Sequence, residues 1–224
     1  MSEDLRQTIH STLEPLLRAK AEEIERELAE RLQREWQSAL AECHEKARHA
    51  RRETAESLAA AVHLIRAEAS VTSIAHALVD AAASFAGRTG LFILREDRLL
   101  GFRVKGAADP EEERRFEQID LALRDAAAIA HVAESRDCVV TGGNANDLSL
   151  QIVDLFGLRP EDRVHLFPLV LRDQVLAVLY ADAGPASKPV ETAAIEVLAS
   201  AAEAWIEAVG SRKKPALLRE ETTV

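Results

Sequence analysis

Apolar residues recur at helical spacing through the first third of the chain: Leu5, Ile9, Leu13, Leu17, Ala21, Ile24, Leu28, Leu32, Trp36, Ala39, Cys43, Ala47, Ala50, Leu58, Val62 and Ile65. The steps are mostly fours with an occasional three, a mean of about 3.7 residues, nearer an 11-residue than a 7-residue repeat. Charged residues fill the remaining faces, among them Glu22, Glu23, Arg26, Glu27, Glu30, Arg31, Arg34 and Glu35, with opposite charges four apart. This pattern predicts one long helix over residues 1–65. Its apolar stripe is too narrow for a core helix, and a helix this polar gains little alone. The expected solution is a parallel homodimer with Ile24, Leu28, Leu32, Trp36, Cys43, Leu58, Val62 and Ile65 at the interface. A solvated strut, or a helix folded back on its own domain, is the alternative. Pro15 suits a main helix starting near Leu13 and otherwise implies a kink. The stripe is weakest between Cys43 and Thr54.

A different pattern governs Arg163 to Asp182. Val164, Leu166, Leu169 and Leu171 lead to the polar break Arg172-Asp173-Gln174, and Val175, Leu176, Val178, Leu179 and Tyr180 follow. Two short Val/Leu-rich runs around a polar break read as a β-hairpin. Asp173 suits the turn; Gln174 suits it less, because tight hairpin turns favour glycine there. Neither run alternates cleanly between apolar and polar, so both faces of the sheet are expected to carry helices. Pro168 argues against one long buried helix.

The nine glycines all lie at Gly87 or later, and only Pro15 precedes them among the prolines up to that point. Helix continues from Ser57 to Ala86, with a break around Ser70–Ser73, Ser73 as the cap of the next helix and Gly87 as its stop. Leu91–Leu94 and Leu99–Val104 form two strands around Arg95–Arg98. Ala107–Arg115 is a loop or short solvated helix. Phe116–Leu123 suits a half-buried strand, with a helical reading left open. Asp125 caps an Ala-rich helix, Cys138–Thr141 is a brief strand, and Asp147 caps a helix to Phe156 ended by Gly157. A final helix starts at Pro189 or Glu191 and stops at Gly210. Residues 212–224 read as a solvated tail, whose last four residues resemble a PDZ ligand only by chance.

Composition narrows the function. The chain has 224 residues and a net charge of −10, which argues against nucleic-acid binding. No apolar run approaches the roughly 20 residues that span a bilayer, so no membrane insertion is expected. The acidic start has no signal-peptide core. Two isolated cysteines, Cys43 and Cys138, fit a reducing, cytoplasmic setting. Cys43, His44 and His49 do not share a helix face as zinc ligands would, so no metal is expected. No nucleophile-elbow spacing and no phosphate loop is present, so neither catalysis nor a cofactor is expected.

The succession of helix, helix, strand, strand, a middle with short helices, then F-P-L-V-L-R-D-Q-V-L-A-V-L-Y-A-D and a long final helix resembles the GAF domain family over about residues 66–211. The segment D-A-A-A-I-A-H-V-A-E-S-R-D-C-V-V-T resembles the short helix and strand beside the family's pocket. The resemblance implies an α+β fold: an antiparallel sheet of about six strands with helices on both faces, preceded by the long N-terminal helix. It also implies a small-molecule cavity on one face, with Arg103, His131, Asp147, His165 and Phe167 as candidate ligand-binding residues. Arg103, flanked by Phe102 and Val104, would suit an anionic ligand. Ala177 replaces a common glycine, and Thr141-Gly142-Gly143 stands where an aspartate often follows. The cyclic-nucleotide signature, a bilin-attachment context for Cys138 and the cysteine set of the methionine-sulfoxide-reducing members are absent. Three readings follow: a ligand sensor that signals to a separate, unknown protein partner, a scaffold with a filled pocket, or an enzyme using the cavity. In the sensor reading, a ligand would order the loops at 107–115 and 142–148.

Overall fold

A computed structural model describes the backbone of residues 3–212 and the side chains of residues 15–211. The tail expected beyond Arg212 lies outside the described residues. Helix α1 spans Glu3–Ala67 and contains Pro15. The helix therefore begins well before Leu13, and Pro15 costs it one main-chain hydrogen bond rather than marking its start. Packing divides the chain into two units, Met1–Glu56 and Ser57–Val224.

In the first unit, Leu17, Ile24, Leu28, Leu32 and Trp36 stand exposed, Trp36 at 73%, and Cys43 is exposed as well. Ion pairs three or four residues apart flank them, including Arg31–Glu35, Glu42–Lys46 and Arg52–Glu56.

The second unit takes in the last turns of α1. Ile65 is fully buried there, and Leu58 and Val62 pack against the same core. All three are expected at a dimer interface; Ile65 is sealed in its own domain instead, whereas Leu58 and Val62 stay half-buried. Helical spacing alone cannot tell an intrachain neighbour from a second copy. Leu64, by contrast, is 63% exposed. Helix α2 (Val71–Ala82) begins with a capping box in which Ser70, not Ser73, is the N-cap.

Six strands form one antiparallel sheet in the order β3-β2-β1-β6-β5-β4. They are β1 (Arg88–Arg95), β2 (Arg98–Lys105), β3 (Asp120–Ala122), β4 (Val139–Gly142), β5 (Arg163–Leu171) and β6 (Gln174–Asp182). Between them lie α3 (Pro110–Glu117), α4 (Ala127–Ser135), α5 (Ala145–Leu148) and α6 (Leu150–Phe156), and α7 (Thr192–Arg212) follows. Phe116 thus closes α3, and only three residues of the expected Phe116–Leu123 strand pair with β2. Gly101 permits this junction: a Cβ there would stand 1.8 Å from the Phe116 carbonyl oxygen. Gly210 does not stop α7, which runs on to Arg212.

The β5–β6 hairpin turns on Arg172 and Asp173, at φ 49° and 64°, and Leu171 pairs with Gln174. Gln174 is therefore the first strand residue, which is why it need not be glycine. Side chains alternate across the hairpin. Phe167, Leu169, Ala177 and Leu179 join a core closed by α1, α2 and α7. Val164, Leu166, Val178 and Tyr180 join a second core closed by α3 to α6. The two helical layers expected from the unbroken apolar runs are both present.

Candidate functional site

Where β1 begins and β6 ends, Arg88 lies opposite Asp182. Both are nearly sealed from solvent, at 3% and 2% exposure. Arg88 Nε donates to both carboxylate oxygens of Asp182 at 3.2 and 3.1 Å, and Nη2 donates to Oδ2 at 2.6 Å. Its Nη1 donates to Glu112 Oε1 at 2.9 Å, and the guanidinium sits 3.9 Å from the Phe156 ring centroid. The Tyr180 hydroxyl donates to Asp182 Oδ2, and the Gly184 N–H donates to Oδ1 at 2.7 Å. Burial opposes the charge on Arg88, but the bonds to Asp182 and Glu112 outweigh it and raise its pKa. Burial, reinforced by Asp182, pushes the Tyr180 phenol well above its ordinary value, so it stays a donor. A cleft of ≈ 320 Å³ opens over this network, with Phe156, Leu158, Arg159, Arg163 and Ser187 among its walls.

The space between the sheet and the short helices holds aromatic rings. Phe92 and Phe116 lie 4.8 Å apart by ring centroid, Phe116 and Phe156 5.8 Å, and Phe156 and Tyr180 5.2 Å. The adjoining loops are held by their own bonds. Asp109 caps α3, and Glu112 Oε2 accepts from the Ala108 N–H at 2.8 Å. Asn144 caps α5 and Ser149 caps α6. The loops that a ligand was expected to order are thus already fastened.

The five sequence candidates are not gathered into one cavity. Arg103 forks onto Asp80 of α2, with Nη2 donating to Oδ1 at 2.8 Å, so its charge is met on the α2 side of the sheet. His165 stacks on Phe167, which is buried in that same core. His131 is exposed on α4, and α4 covers the opposite face. Asp147 does not cap a helix. Its carboxylate accepts from Thr141 Oγ1 and Asn144 Nδ2, each at 2.7 Å, and these bonds lower its pKa. With the sheet between them, Arg103, His165 and Phe167 cannot share a pocket with His131 and Asp147. Arg88, Glu112 and Asp182 went unnoticed in the sequence, because the Arg88–Asp182 contact spans 94 residues and each reads locally as a strand end or a surface charge.

Cys138 is exposed; partial burial of its thiol, with Glu196 beside it, pushes its pKa up to about 11. Among the described residues, no group of three His, Cys, Asp or Glu is placed to hold a metal, and no helix is long and apolar enough to cross a membrane. On the other side of the sheet, the last turns of α1 and helix α2 border a groove of ≈ 740 Å³ with Ala60, Ala61, Leu64, His76 and Ala77 among its lining residues.

No protein-family model matches the chain, and no curated protein matches it. Solved structures do. It is similar to the GAF domain/HD domain protein from Geobacter sulfurreducens, at 17% identity over 64% of this chain and 95% of that one, with a TM-score of 0.54. A segment of a methyl-accepting chemotaxis protein, residues 122 to 287, aligns at 13% identity over 70% and 99% of the two chains, with a TM-score of 0.56. Free methionine-R-sulfoxide reductase from Neisseria meningitidis, in complex with its substrate, aligns at 15% identity over 71% and 91%, with a TM-score of 0.51. The fold is GAF-like.

Removing one member of the buried network strands a charge. Asp182→Asn is expected to cost about 3–5 kcal/mol in urea unfolding, and replacing Arg88 and Asp182 together by leucine should recover part of that loss. An unchanged midpoint for Asp182→Asn would show that the network does not clamp the fold. The Nδ1 atom of His165 is buried without a partner among the described residues. Burial, then nearby Arg163, lower its pKa from 6.5. The folded state therefore holds the neutral ring, and the unfolded state binds the extra proton first. Stability should fall as the pH drops below about 6.5, and His165→Phe should flatten that part of the profile. An identical pH profile in the variant would assign the loss to other groups.

Proposed function

We propose that this protein is a cytoplasmic, homodimeric signalling module, paired in parallel through α1, whose GAF-like domain acts on a separate protein partner. The observation that carries the reading is the row of exposed apolar side chains on α1: Leu17, Ile24, Leu28, Leu32 and Trp36 are each more than half exposed. Their spacing, with charged pairs on either flank, is what a second helix would cover. The aromatic filling under the short helices and the self-fastened loops favour action through protein contacts over a ligand held deep in the domain.

A second reading, small-molecule sensing, is favoured by the ≈ 320 Å³ cleft over Arg88 and Asp182, which reaches the lower end of ligand-site volumes. An enzymatic role draws no support from the likeness to the reductase, which concerns the fold. A thiol with a pKa of about 11 is almost wholly protonated near neutrality and a poor nucleophile, and Cys43 lies in the other unit.

Light scattering on the full chain should return twice the monomer mass, and the double variant Leu28→Asp, Leu32→Asp should return the monomer mass with the GAF-like domain still folded. A monomeric wild-type chain would refute the pairing. For the sensing reading, a panel of nucleotides and small carboxylates is the probe. A binder at 100 times its Kd should add about 2.7 kcal/mol of stability, and Leu158→Trp, which intrudes on the cleft, should abolish the shift. No shift across the panel would leave the scaffold reading in possession.

A further inference from the structure

The cleft over Arg88 and Asp182 has two walls, each fastened by its own bonds. In one, the Leu158 N–H donates to the Val153 carbonyl at 3.0 Å, and the Arg159 N–H donates to Asp162 Oδ2 at 2.8 Å. In the other, Gly184 and Ser187 take φ of 58° and 52°, and the Ser187 N–H donates to the Gly184 carbonyl at 3.1 Å. An occupant would not have to order either wall. Five charged residues line the cleft, three arginines and two aspartates. Four of them pair off, Arg88 with Asp182 at 2.6 Å and Arg159 with Asp162 at 3.1 Å. Glu112 and Glu161 extend these pairs from outside the lining. Arg163 is left over: among the described residues, no ion pair or hydrogen bond meets its guanidinium. Its charge is felt nearby, because burial first and Arg163 second lower the His165 pKa. Phe156, Leu158 and Pro185 supply apolar surface beside it.

We propose that this cleft takes a small organic anion, its carboxylate or phosphate held by the Arg163 guanidinium and its apolar body laid against Phe156, Leu158 and Pro185. The inference rests on the small-molecule reading of the cleft given above and names the ligand class. The planar fork of a guanidinium matches a carboxylate or phosphate with parallel N–H donors. A cationic ligand would find both lining carboxylates already held by arginines. A neutral ligand would take water from Arg163 without replacing it by an opposite charge. The volume of ≈ 320 Å³ stands at the lower end of ligand sites, which favours a small acid.

The experiment titrates the full chain with butyrate, butyl phosphate, butyramide and butylamine, which share a four-carbon body and differ in the polar head. Binding is followed by calorimetry and by the amide resonances of Gly157 and Gly184 on the two walls. At least one of the two anions should bind and move both amides, and the tighter of the two identifies the head group as carboxylate or phosphate. Butyramide and butylamine should bind at least about tenfold more weakly. Arg163→Gln should weaken the anion by about the same factor while the remaining amide spectrum is unchanged, and Arg163→Lys should retain part of the affinity. If butyramide or butylamine moves the two amides as readily as the anions do, or if Arg163→Gln binds the anion undiminished, the ligand class is wrong and the small-molecule reading stands. If no probe at large molar excess moves either amide, the small-molecule reading falls and this inference with it.

Discussion

The β5–β6 hairpin is apolar on both faces, and the rest of the GAF-like unit follows from that. Burying one Leu, Phe or Val side chain is worth about 1.5–3 kcal/mol. One face buries Phe167, Leu169 and Leu179 and the other Val164, Leu166 and Val178, so leaving either face in water would cost about 5–9 kcal/mol, comparable with a whole domain's net stability of about 5–15 kcal/mol. Two helical layers are therefore obligatory. They are not equivalent. One side receives α2, α7 and the last turns of α1, with Ile65 fully buried among them. The other receives four short helices whose ends and loops must each find hydrogen-bond partners.

The Arg88–Asp182–Glu112 network answers that second demand. It ties the first residue of β1, the last of β6 and helix α3 at a single guanidinium. A buried ion pair contributes little net stability compared with apolar packing, but breaking it strands a charge. Here it joins α3 and the end of α6 to the sheet. The aromatic rings of Phe92, Phe116, Phe156 and Tyr180 then fill what lies beneath.

Much of this was legible in the residues. The paired Val/Leu runs gave the hairpin, the lack of clean alternation gave the two layers, and Gly157 at the end of α6 behaved as a left-handed helix stop. The helix caps were harder to place. Ser70 and Ser73 form one reciprocal box, so choosing between them from sequence amounted to choosing between two ends of the same bond pair. Asn144 and Ser149 took the capping roles, which left Asp147 to bind Thr141 and Asn144. The candidate pocket residues failed for a different reason. Whether a strand residue faces one layer or the other depends on register, and the bulge opposite Leu91 and Phe92 determines the face on which Arg103 emerges. Ile65 shows the same limit on a helix: its period marks it as buried without saying against what.

The most direct measurement of parallel pairing through α1 is the distance between spin labels on Cys43 in the full chain, with Cys138→Ser. Helices packed side by side lie about 8–10 Å apart. Parallel, in-register pairing predicts a single short label-to-label distance that vanishes on dilution with unlabelled chain. Labels that show no mutual coupling, or a broad distribution of long distances, would contradict it.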